Sequence, residues 1–272
     1  MSDKALIDTS VLTDALLKQR SEGTAARDAL TKFKQTELPV YAIKEFKAGP
    51  LRYYVWFHNK VVTTNRWEDA VDAIRKLGVT PQRNRQSTAL QALVDFESHI
   101  GRSITSALAA KYPGSDVNEV KRSEARLWLK TLILRAWRKR RKVTTRVVSQ
   151  LSCYPEAELK INSNGTLDDR PVGCPVQDCC MREPLIRRPD ALASLLKACD
   201  RLPEKPETHK RRQVLRQLVR TPKRPLSDAD CRKLGDAIFA LQCPQDAVIL
   251  TTNVVDHEPL ANALGLSVAW PA

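Results

Sequence analysis

Two short apolar runs near opposite ends of the chain constrain its fold most. Lys4 to Asp8 reads KALID and Ala247 to Thr251 reads AVILT. Each is short for a helix, and turn-prone or polar residues follow it, so each is predicted to be a buried strand. Both stop on polar or acidic groups: Asp8, Thr9 and Ser10 in the first case, and Thr251, Thr252 and Asn253, then Asp256, in the second. After the first run, Val11 to Lys18 places Leu12, Leu16 and Leu17 on one side of a helix, with Thr9 or Ser10 available to cap it. Polar groups at the carboxyl ends of such strands stand where open α/β sheets place ligands.

Charge divides the chain in a different way. Its formal net charge is +14 over 272 residues. Residues 1–66 and 226–272 together are neutral, so 67–225 carry the whole excess. A concentrated positive field points to a polyanionic partner, most often nucleic acid. Apolar runs fall short of the ~18 residues that span a bilayer, so no membrane insertion is expected. The start has no secretory pattern, and seven cysteines, an odd number, suit reduced thiols; a cytoplasmic location is expected.

Between the two strands the pattern is mainly helical. Thr36 to Pro39 reads as a turn, Val40-Tyr41 as an extended patch, and Ala42 onwards as a helix that stops at Gly49-Pro50. Trp67–Leu77, Ser87–Ala110 and Val117–Arg141 are expected helices, and the last runs into RKRRK, Arg138 to Lys142. Lys121, Arg122, Arg126, Lys130, Arg138, Lys139, Arg140, Arg141 and Lys142 are candidate phosphate contacts, as are Arg211 and Arg212 on a later basic helix, Lys210–Arg220. Val143 to Leu151 reads as a strand, and Asn164-Gly165 marks a possible hairpin near 158–168. Leu226 to Leu241 reads as one helix that carries a Gly235-Asp236 pair, and an internal glycine there costs about 1 kcal/mol.

Asp8, Glu45, Asp236 and Asp256 are the acids that strand ends and helices could bring to one edge of the sheet. A carboxylate cluster serves hard cations such as Mg²⁺, which lower the pKa of bound water and stabilise a phosphodiester's leaving oxygen. At this point four segments carry a resemblance. IDTSVL (Ile7–Leu12), YAIKEFKAG (Tyr41–Gly49), LGDAIFAL (Leu234–Leu241) and VILTTNVVDHEPLANALGL (Val248–Leu266) resemble, in order, the motifs of PIN-domain nucleases. The resemblance covers about 1–60 and 226–270. It implies a three-layer α/β/α sandwich with a short, mainly parallel sheet, a PIN-like core made of 1–66 and 226–272. Residues 67–225 would then be a basic, mostly helical insertion. It further implies Mg²⁺- or Mn²⁺-dependent endoribonuclease activity of the toxin, defence or RNA-processing kind. Asp8, Glu45, Asp236, Asn253 and Asp256 would hold metal, and Ser10 or Thr251 would orient water or phosphate.

Three features depart from the family pattern. Asn253 stands where an acid is usual, and some 165 residues separate the two halves. His257 replaces a usual Phe and is read as a packing residue, with proton donation as the alternative. Asp230 is an alternative to Asp236. Zn²⁺ at Cys174, Cys179 and Cys180 is a further option, although the spacing lacks paired Cys-x-x-Cys units. RNA is the expected partner, together with a possible neutralising protein. The rival readings are a non-cutting RNA- or protein-binding module, a DNA-directed nuclease, and a structural protein whose basic face meets an acidic partner.

Overall fold

The computed structural model describes residues 2–78, 83–101, 112–148, 158–168 and 182–271. The first strand, β1 (Lys4–Ile7), buries Ala5, Leu6 and Ile7 completely. It pairs in parallel with β2 (Gln35–Pro39) on one side and β4 (Val248–Leu250) on the other. Then β3 (Arg146–Val148) pairs with β2, and β5 (Ser267–Ala269) with β4, also in parallel. The strand order is β3-β2-β1-β4-β5. The chain is therefore α/β, consistent with a three-layer sandwich around a five-stranded parallel sheet. Chain progression moves outward from β1 in one direction and, after a return, outward from β4 in the other. The β1/β4 boundary is the topological switch point, where ligand crevices open at the carboxyl ends of the strands.

Helices α1 (Thr9–Leu17) and α2 (Ser21–Thr31) connect β1 to β2 and pack on each other, with Val11, Leu12, Ala26 and Leu30 buried in the core. After β2 come α3 (Val40–Phe46) and α4 (Arg52–Thr63). Two expectations fail here. Thr36 to Pro39 is strand, not turn, because Thr36 and Glu37 are flanked by β1 and β3 and their polar groups are paired. The Thr145 hydroxyl donates to the Thr36 carbonyl at 2.7 Å, and Arg146 reaches Glu37 at 2.7 Å. Helix α3 starts at Val40 and does not stop at Gly49-Pro50. The chain passes through a π-turn, Lys47–Leu51, into α4. The wider turn leaves room for the Pro50 ring, which would clash inside a regular α-helix.

Beyond α4 lie α5 (Trp67–Arg75), α6 (Arg83–Gly101) and α7 (Val117–Lys139). Fully buried Ala125, Leu129 and Ile133 line α7, which packs on α4, α5 and α1. Next come α8 (Arg182–Ile186), α9 (Pro189–Arg201) and α10 (Pro206–Arg220). The segment 67–225 is thus threaded through the sheet region: it supplies β3, and α9 packs on α13 (Val254–Asn262). Ile161 and Leu167 form an antiparallel bridge around the Asn164-Gly165 turn, with Gly165 at φ +82°.

The helix expected from Leu226 to Leu241 is two helices, α11 (Asp228–Leu234) and α12 (Asp236–Gln242). Gly235 sits between them at φ +45°, a conformation that side-chain-bearing residues rarely adopt. The glycine breaks the helix and sets Asp236 at the first position of a new one.

Candidate carboxylate site at the switch point

The end of β1 delivers Asp8, and Asp8, not Thr9 or Ser10, is the N-cap of α1. Its Oδ1 accepts from the Thr9 amide at 2.6 Å, and Oδ2 accepts from the Ser10 hydroxyl at 2.6 Å. From the end of β4, fully buried Thr251 donates its hydroxyl to the same Oδ2 at 2.7 Å. The Thr252 amide donates to Ser10 Oγ at 3.0 Å. The two strand ends that define the switch point are therefore tied together through Asp8 and Ser10.

Glu45 approaches from α3. The Thr9 hydroxyl donates to its Oε2 at 2.7 Å. Burial, reinforced by the negative charges of Asp8 and Asp236, pushes the Glu45 carboxyl up to about 7, against hydrogen bonds from Thr9 and Tyr41. Asp236 enters at the head of α12. Its Oδ1 lies 3.5 Å from His257 Nε2, which is also 3.5 Å from Asp8 Oδ2. Its other oxygen accepts from the Arg211 guanidinium. Three acids from three elements, one imidazole and one guanidinium thus share a single neighbourhood.

The two basic groups were read differently from sequence. His257 is almost wholly buried and meets the Phe239 ring edge-on at 5.5 Å, so it does pack, but it also bridges two acids. Burial lowers its pKa, but Asp8 and Asp236 outweigh that and hold it above the usual histidine range. Burial likewise raises Asp8, while His257, Ser10 and Thr251 more than reverse the effect and hold it below the ordinary aspartate value. Arg211 was expected on a nucleic-acid surface. Instead it is buried, with only 7% of its surface exposed, and reaches Asp236 from α10. Its Nε has no hydrogen-bond partner, and neither has His257 Nδ1. A basic run on a short helix reads as solvent-facing, so burial of one member is invisible before α10 is docked on α11.

Asn253, Asp256 and Asp230 make contacts of their own. Asn253 is exposed, donates its side-chain amide to Asp256 Oδ2 at 2.9 Å, and leaves Asp256 also 3.8 Å from Lys205. That pair lies at the start of α13, and the Asn253 backbone amide donates to the Thr251 hydroxyl oxygen at 2.9 Å, one hydrogen bond removed from Asp8. Asp230 forms the reciprocal capping box with Ser227 and is committed to starting α11.

Among the basic candidates, Arg212 bonds Asp200 and Glu204, and Arg140 is buried over the Trp137 ring at 3.6 Å. Arg122 donates to the carbonyls of Thr64 and Asn65, and Lys121 lies 3.5 Å from Glu97. These four are structural contacts first. Lys130 is half-buried, while Arg126, Arg138, Lys139, Arg141 and Lys142 are exposed.

Comparison with known families, curated proteins and solved structures returns no match. The donors of Asp8, Glu45 and Asp236 are all carboxylate oxygens, the set a hard divalent cation takes. As arranged, no three acidic, His or Cys side chains among the described residues are grouped to hold an ion. Arg211 and His257 supply the positive charge there instead. Cys174, Cys179 and Cys180 lie outside the described residues, and Cys199, Cys231 and Cys243 are buried. No helix among the described residues is long and apolar enough to cross a membrane.

Proposed function

We propose that the chain is a PIN-like, Mg²⁺- or Mn²⁺-dependent endoribonuclease. One observation carries the reading: Asp8, Glu45 and Asp236 gather at the β1/β4 switch point, and Glu45 is held near neutrality by burial and by the other two acids. Burial is the larger cause of that shift and the charges of Asp8 and Asp236 add to it, so a cation placed among the three acids would be favoured. Asp8, Glu45 and Asp236 would hold the cation, and when bound it would activate water and neutralise the phosphodiester's developing charge. The chain's own contributions are separate. Thr9, Ser10 and Thr251 fix the carboxylate orientations, and His257 keeps Asp8 ionised. Arg211, once released from Asp236, would offer its guanidinium to a substrate phosphate. A toxin- or defence-type role with a neutralising protein partner belongs to the same proposal.

The test is incubation with mixed RNA and with DNA, in Mg²⁺ or Mn²⁺, with and without EDTA. Metal-dependent cutting of RNA that Asp8→Asn and Asp236→Asn each reduce by about 100-fold or more is expected. Wild-type activity in either variant removes that residue from the site, and cutting of DNA alone replaces the substrate class. A second reading has its own support. The Arg211 and His257 contacts already neutralise Asp236 and Asp8 in part, which suits a module that binds nucleic acid or protein without cutting. Retained RNA binding with no cleavage under any metal would select it.

A further inference from the structure

The exposed part of the basic run is not beside the carboxylates. Helix α1 starts at the site with Thr9 and runs for 9 residues, about 13 Å, toward the amino-terminal edge of the sheet. At that far edge the Thr145 amide bonds the Thr36 hydroxyl at 3.0 Å, just before β3 begins. A cleft of about 490 Å³ opens there, between the end of α1, α2 and the end of α7. Leu16, Ala136 and Val143 form its apolar floor, and Arg27, Arg135, Lys139 and Lys142 line it, with no acid among the lining residues.

We propose that this cleft docks single-stranded nucleic acid, at a place distinct from the carboxylates. The cations form a row and not a point. Arg135 and Lys139 are one helical turn apart, about 6 Å along α7, and Lys142 follows in the turn after that helix, its amide donating to the Lys139 carbonyl at 2.8 Å. All four are exposed, and Arg135, Lys139 and Lys142 take part in no ion pair among the described residues. Arg27 is held in place: its Nη1 donates to the Ala15 carbonyl at 3.1 Å and its Nη2 to the Thr24 hydroxyl at 3.2 Å. Cations above an aliphatic floor match a strand that offers its phosphates to the one and its base faces to the other. An acidic peptide would meet the cations but has less use for the floor. The proposal concerns binding and stands whether or not the carboxylates cut.

The experiment uses the full chain with Asp8→Asn, so that bound RNA stays intact, and a fluorescein-labelled single-stranded 20-nucleotide RNA. Replacing Arg135, Lys139 and Lys142 by Gln is expected to weaken binding about tenfold or more. It should also shallow the slope of log K against log salt by about two, the share of three phosphate contacts on a single strand. A charge-matched control replaces Arg138, Arg141 and Lys223, exposed residues outside the cleft lining, and is expected to lose about threefold or less. Equal losses in the two triples, or none in the cleft triple, overturn the proposal. So does competition by poly-glutamate as effective as that by unlabelled RNA at equal charge. Urea melts of each variant confirm that binding is compared between folded chains. Cleavage by the unmodified chain is scored separately, so loss of the nuclease reading leaves this result readable.

Discussion

Glu45 is the residue whose environment makes the sharpest statement. Its carboxyl stands at about 7 in the folded chain against an ordinary value of 4.5. The native state therefore keeps a proton that the unfolded state releases between those values. Stability from this group is fully present below pH 4.5 and is lost as pH rises through 7, by on the order of 3 kcal/mol. His257, raised above 6.5, adds a loss in the same direction but only at higher pH. Glu45→Gln is expected to flatten the fall in urea midpoint between pH 5 and pH 7 while keeping the later part. A variant with the unchanged slope would show that Glu45 is not the group responsible.

Arg211 makes the companion case. Removing it with Arg211→Met strands Asp236 in a half-buried position with His257 as its remaining cation. A loss of about 2 kcal/mol is expected, below the range for fully buried pairs because Asp236 is 22% exposed. Titration with Mn²⁺ should recover more stability in this variant than in the parent chain, read as the rise in melting temperature. An equal rise in both would mean that Arg211 and a cation do not compete.

At the scale of elements, the break at Gly235 decides where Asp236 points. A Cβ there would meet only ordinary contacts, at 3.5 Å from the Arg232 carbonyl and 3.6 Å from Arg211. The cost of Gly235→Ala is thus backbone strain at φ +45°, about 1–2 kcal/mol. Denaturant melts give the size, and a stabilised variant would rule out the strained conformation. The same elements show what sequence could reveal. Strands β1 and β4 announce themselves as apolar runs that end on polar groups, which singles out Asp8, whereas Asp236 stood out only by its place beside Gly235 in a helical stretch. Strand β2 could not be read, because Gln-Thr-Glu-Leu-Pro has no strand pattern and owes its state to neighbours on both sides. Strand β5, at Ser267–Ala269, had no signal beyond brevity. His257 and Arg211 escaped for a related reason: whether a basic side chain meets water or a buried acid is settled by helix docking, not by composition.

For the whole molecule, charge and architecture divide along different lines. The neutral ends and the basic middle suggested a core with an appended segment. Yet the middle supplies β3 to the sheet and Arg211 to the acids. Joining residue 66 directly to residue 226 is therefore expected to abolish cooperative unfolding, measured by circular dichroism during a thermal melt. A sharp transition in that shortened chain would mean that the ends form a self-sufficient unit.

The bond from Thr251 to Asp8 joins positions 243 residues apart. During synthesis, everything up to β3 can leave the ribosome while Asp8 still has no partner from β4. The carboxylate neighbourhood comes into being only after β4, and then α13 with His257, have emerged. A growing chain lacks this neighbourhood until those two elements have been made, so its timing is set by translation.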